Sequence, residues 1–233
     1  KNFAGAITSY TEAINLNKEL FLAFYKRGEA YYHSGEYQKA LAEFEDVINK
    51  IKFDEAVKKA PFNASLLVDA FIGKGKSQQA LGKFSEAIAT NENTIKLVKK
   101  AGKKISNGTN TSVAPPSATT STSGTSAKPI VNKASYISVV QFDEKMKMAE
   151  LYNNTGRCRY KMKNYKLATK NLDEAIDYHK KNGNAYYNRG VVYYNLRDYK
   201  NAVNDFSSNL KYGNKGPMDY FVRAQTYQMA NKH

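Results

Sequence analysis

NAYYNRGVVYYNLRDYKNAVNDFSSNLKYGN, residues Asn184 to Asn214, reads as two short amphipathic helices joined by a tight turn. Tyr186, Gly190 and Tyr193 recur at i, i+4 and i+7 and share one face of the first helix. Tyr199, Ala202, Val203 and Phe206 do the same on the second. Gly190 and Ala202 are small, so the two backbones approach closely where larger side chains would hold them apart. A pair of this size cannot bury its apolar stripe alone, and stacked neighbours are required.

The neighbours recur at a fixed period. Gly156, Tyr165 and Ala168 stand one period before Gly190, Tyr199 and Ala202, and Ala224, flanked by Tyr220 and Tyr227, stands one period after Gly190. Phe24, Gly28, Tyr31, Gly35, Tyr37, Ala40, Leu41 and Phe44 repeat the pattern, as do Phe71, Gly75, Gln78, Gly82, Phe84 and Ala87. Small and aromatic residues at these offsets, with a helix-turn-helix period of about 34 residues, resemble the tetratricopeptide repeat (TPR) family. The resemblance implies an all-α, right-handed superhelical solenoid of antiparallel helix pairs whose first helices line a concave groove. It speaks to the scaffold more than to the site grafted on it.

Laid over the chain, the pattern predicts seven segments. Residues 1–17 form the second helix of a truncated repeat, and 20–62 form a repeat whose second helix is prolonged until Pro61 stops it. Residues 63–104 form a degenerate repeat, with polar Asn91 and Thr94 at places where apolar residues are usual, and should be the least stable unit. A Ser/Thr/Lys-rich linker over 105–135 has few apolar side chains and is expected to be disordered. Repeats follow at 136–182 and 183–216, and 217–233 supply a lone first helix. A pattern cut at both ends suggests a fragment of a longer protein. The long intervals from Gly28 to Gly75 and from Gly75 to Gly156 imply two inserts. Both fall between a second helix and the next first helix, hence on one edge of the superhelix.

The chain has 233 residues, 42% of them hydrophobic, and a net charge of +15. The charge points to acidic partners, and protein or peptide is favoured over nucleic acid because no nucleic-acid motif accompanies it. No apolar run approaches the length of a membrane span. Cys158 is the single cysteine, which excludes an internal disulfide and favours a reducing, cytoplasmic setting. Between Asn93 and Gln141 there are lysines and no acid, and Lys96, Lys99, Lys100, Lys103 and Lys104 form a candidate basic edge.

Helix geometry selects the groove-facing positions: two and three before the packing glycine, one after it, and four and five after it. The strongest candidates are Tyr25, Lys26, Asn153, Asn154, Arg157, Lys161, Tyr187, Asn188 and Tyr194. They combine amides that can pair with a peptide backbone, rigid aromatic faces and surplus cations. The carboxylate clamp of chaperone-binding family members needs a Lys, Asn and Arg pattern that only Asn188 matches here. The asparagine ladder of the O-linked sugar transferase arm is matched by Asn154 and Asn188.

Enzymatic signatures are weak. Gly75-Lys76-Ser77 lies within a helical pattern instead of after a strand, and His33, His179 and His233 lack metal-ligand spacing. No catalytic residue, metal site or cofactor is expected. The sequence therefore reads as a non-enzymatic scaffold or adaptor for an extended, acidic peptide. Two other readings stand beside it. The N-terminal half is similar to the TPR domain of the phagocyte oxidase activator, which implies docking of a small GTPase through inter-repeat inserts. The chain also suits a substrate-recruiting arm or co-chaperone region of a larger protein. Nothing in it indicates an oligomeric state.

Overall fold

The computed structural model describes residues 2–52, 61–107, 133–213 and 215–231, with side chains described throughout except at 61–63, 101–107 and 133–143. Most of the Ser/Thr/Lys-rich linker expected over 105–135 lies outside these residues, as do 53–60.

Among the described residues there are ten helices: α1 (Phe3–Leu16), α2 (Phe21–His33), α3 (Tyr37–Lys50), α4 (Pro61–Ala80), α5 (Phe84–Asn107), α6 (Lys133–Lys161), α7 (Tyr165–Tyr178), α8 (Gly183–Asn195), α9 (Tyr199–Tyr212) and α10 (Pro217–Ala230). Each packs on the next along the chain. In addition α2 meets α4, α4 meets α6 and α6 meets α8. That second set of contacts makes the first helices of successive repeats an inner layer, with the second helices outside: the expected solenoid.

One contact, repeated, holds each helix pair together. The residue sixteen after each packing glycine presses onto it: a Cβ at Gly28 would meet the Phe44 ring at 2.9 Å, one at Gly156 would meet Leu172 at 2.7 Å, and one at Gly190 would meet the Phe206 ring at 2.9 Å. Phe44 and Phe206 are 1% exposed and Leu172 is fully buried. In the third repeat the same place against Gly75 is filled by Asn91. Asn91 is fully buried, and neither its side-chain nitrogen nor its oxygen has a hydrogen-bond partner. An unpaired buried polar group costs about 1–3 kcal/mol.

The turn inside each pair needs one residue with positive φ, seven positions after the packing glycine. Gly35 (φ 87°) and Gly82 (φ 76°) serve the first two, where a missing Cβ makes the conformation unstrained. Lys163 (φ 60°) and Arg197 (φ 62°) serve the next two and carry strain for it.

The arginine just before the glycine pairs with an acid of its own helix pair and reaches back to the preceding repeat. Arg189 holds both oxygens of Asp205, through Nε at 2.8 Å and Nη2 at 2.7 Å, while its Nη1 reaches Asp173 at 2.6 Å. Arg27 repeats the motif, with Glu43 at 2.7 Å and a donation to the Thr11 hydroxyl at 3.0 Å.

The inserts differ from expectation in one respect. The second helix of the 20–62 segment is not prolonged: α3 ends at Lys50, and Ile51 turns extended (φ −99°, ψ 113°) and is buried at 6% exposure. Pro61 opens α4 instead of stopping α3. A proline fits there because the first turn of a helix leaves its N–H groups without helical partners anyway. The extra length of the second insert does go into helices, since α5 runs for 24 residues and α6 for 29.

A cationic groove on α6 and α8

The inner face of α6 and α8 encloses a depression of about 310 Å³ lined by Arg157, Tyr160, Lys161, Leu172, Tyr187, Asn188 and Val191. No acidic residue lines it. Arg157 and Lys161 lie one turn apart on α6, both exposed, and neither has an acidic partner among the described residues. Leu172 forms the floor from the outer helix α7, and the Tyr187 ring leans on Phe206 at 5.7 Å between centroids. The rings and floor are thereby fixed, while two cations project from the wall.

Amides join the two helices. Asn188 Nδ2 donates to Asn153 Oδ1 at 2.8 Å, and Asn195 Nδ2 donates to the Tyr160 hydroxyl at 3.2 Å and to the Val191 carbonyl at 2.8 Å. The Asn188 oxygen and the Asn153 nitrogen are not spent in this bond.

Asn154, expected beside them, is 3% exposed, and its Nδ2 is buried without a partner. The reason is register. Asn188 finds Asn153 on the preceding inner helix, whereas the equivalent position on α4 is Ile72, which accepts nothing. Tyr194 is half-buried, with its ring edge-on to Tyr199 at 5.5 Å, and does not line the depression.

The N-terminal half of the inner face has a different character. Tyr25 donates to Glu29 Oε1 at 2.9 Å, and Lys26 meets Glu29 at 2.7 Å. Lys76 pairs with Glu150, and Lys147 meets Asp69 at 3.0 Å. The cation surplus expected along the whole groove is therefore confined to its α6–α8 part.

On the candidate basic edge, Lys96 and Lys100 are exposed. Lys99 donates to the Tyr152 hydroxyl at 3.0 Å and so belongs partly to the α5–α6 seam. Lys103 and Lys104 lie on α5, but their side chains are outside those described. Cys158 is fully buried, and burial pushes its thiol up to about 11, so it is a packing residue and not a nucleophile.

Sequence models of two kinds match the chain: one described as TPR repeat over residues 1–35, and two described as tetratricopeptide repeat over residues 22–50 and 153–207. The chain carries tetratricopeptide repeats.

No curated protein matches this TPR chain. Among solved structures it is similar to BtubC from P. vanneervenii, at 13% identity and TM-score 0.62, covering 99% of this chain and 82% of that one. It is also similar to the C-terminal part of a TPR repeat-containing protein from Cytophaga hutchinsonii, at 17% identity and TM-score 0.59, covering 99% and 67%. MamA is a third, at 14% identity and TM-score 0.54, covering 100% and 92%. At such identities the likeness concerns the fold. Family and fold together make the chain a protein-interaction module.

Three groove residues escaped the sequence reading of this TPR array: Asp69 and Glu150 on the inner face, and the floor residue Leu172 from the outer helix α7. Asp69 and Glu150 each stand six before their packing glycine, one helical turn outside the positions considered. That position is helical in the shorter first helices as well, as Leu22 on α2 and Asn184 on α8.

Proposed function

We propose that this TPR chain is a non-enzymatic adaptor that binds an extended, acidic peptide in the α6–α8 groove. The observation that carries it is the pairing state of the cations. Inner-face lysines in the N-terminal half are matched by carboxylates, whereas Arg157 and Lys161 face an open depression that no acid lines. Acidic side chains supply the missing partners. The Asn188 oxygen, on the lining of the depression, suits a peptide N–H, and Tyr160 and Tyr187 offer rigid surface at low entropic cost.

A protein ligand is favoured over nucleic acid because the unpaired charge of the groove is a two-residue cluster in a concavity instead of a stripe. A cytoplasmic setting suits the lone, buried Cys158. No described helix is long and apolar enough to cross a membrane.

Titration calorimetry with a glutamate-rich peptide tests the proposal. Arg157→Gln and Lys161→Gln should each weaken binding, by roughly threefold or more, and steepen no salt dependence. Affinity unchanged in the double variant would rule the groove out.

A further inference from the structure

A second cavity, of about 200 Å³, opens on the same inner face where α2, α4 and α6 meet. Tyr25, Tyr32 and Phe44 give it aromatic walls, and its lining carries Glu29, Asp69 and Glu150, one carboxylate from each of the three helices, against a single cation, Lys76. Lys26 and Lys147, which pair with Glu29 and Asp69, do not line it. The Tyr25 hydroxyl is held well above its ordinary value, first by burial and then by the charges of Glu29, Asp69 and Glu150. The lining itself thus carries three carboxylates to one ammonium, although each carboxylate has a lysine partner, whereas the charged residues lining the α6–α8 depression are cations alone.

The shape of the site selects the kind of cation. Among the described residues no group of carboxylates, histidines and cysteine converges closely enough to hold a metal ion. Carboxylates spread around a cavity with ring walls suit an organic cation that distributes its donors and lies against aromatic faces, as the head of an arginine or lysine side chain does. Lys76 and Glu150 are each more than a third exposed, so an entering cation can displace that pair at little cost.

We infer that the groove reads a peptide bearing both signs of charge, a basic side chain entering the α2–α4–α6 cavity and acidic side chains lying on Arg157 and Lys161. The inference rests on the acidic-peptide reading and adds its basic anchor. Helix α6 is the ruler between the poles: Glu150 lies about 10 Å from Arg157 and about 16 Å from Lys161 along the axis at 1.5 Å per residue. An extended peptide covers that span in about three to five residues at roughly 3.3 Å each.

The test uses the whole chain and fluorescein-labelled, end-blocked dodecapeptides with two adjacent glutamates and either arginine or alanine placed two, four or eight residues away. Anisotropy should show the arginine peptide with the four-residue spacing binding about three- to tenfold tighter than its alanine counterpart. The gain should shrink at the other two spacings. Glu29→Gln combined with Glu150→Gln should erase the gain, so that arginine and alanine peptides bind alike, while Arg157→Gln should weaken both peptides alike. No arginine gain at any spacing, or a gain that survives the Glu29→Gln and Glu150→Gln changes, overturns the basic anchor alone. Affinities indifferent to Arg157→Gln overturn the acidic-peptide reading and the ruler with it.

Discussion

Asn188 on α8 donates its side-chain amide to the side-chain oxygen of Asn153 on α6 at 2.8 Å, joining the inner helices of two successive repeats. The bond fixes both side chains and leaves the Asn188 oxygen as an acceptor on the depression's lining. Asn154, next to Asn153, has no such counterpart. Asn188 and Asn154, each two residues before its packing glycine, therefore have different expectations on mutation.

Asn188→Ala should weaken binding of a glutamate-rich peptide by about three- to tenfold and lower stability by about 1 kcal/mol, the worth of one hydrogen bond. Asn154→Ala should leave binding unchanged, because its amide is buried away from the ligand. Titration of the two variants side by side decides this, and a larger binding loss for Asn154→Ala would reverse the assignment.

Asn91→Leu should raise stability by about 1–3 kcal/mol. It removes two unpaired buried polar atoms and places at Gly75 the side chain that Leu172 already places at Gly156. Urea unfolding followed by circular dichroism measures it. Loss of stability would mean that the third repeat has adapted to its polar core.

Lys163→Gly and Arg197→Gly should each stabilise by up to about 1 kcal/mol, since both residues hold positive φ in turns that Gly35 and Gly82 make elsewhere. Gly35→Ala should cost about the same amount. Opposite signs for the two kinds of change are the diagnostic outcome in thermal melts.

Arg189→Met should cost about 3–5 kcal/mol, because it strands Asp205, a residue only 4% exposed. Arg189→Met with Asp205→Leu should recover most of that loss, as replacing both partners of a buried pair by apolar groups often does. If the double change is no better than the single one, Asp205 was not the source of the cost.

Most of the fold was legible in the sequence because a repeat states its packing rule several times. Gly28, Gly75, Gly156 and Gly190, with their partners sixteen residues on, set the helix pairs and their order. Asn91 was readable as a defect for the same reason. The start of α4 was not, since Pro61 is compatible with either a helix end or a helix start.

The candidate site was legible in part. Arg157, Lys161, Tyr187 and Asn188 follow from helical phase alone. The burial of Asn154 was not legible, and the matched lysines of the N-terminal half depend on Asp69 and Glu150, which stand six before their packing glycines on α4 and α6. Pairings between helices far apart in sequence have no local signature.

The most direct test of the account is a map of amide chemical shifts in the isotope-labelled chain as a glutamate-rich peptide is added. Shifts concentrated at Arg157, Lys161, Tyr187, Asn188 and Val191 are the predicted result. Shifts confined to Lys96, Lys100 and their neighbours on α5, with the α6–α8 groove silent, would contradict it.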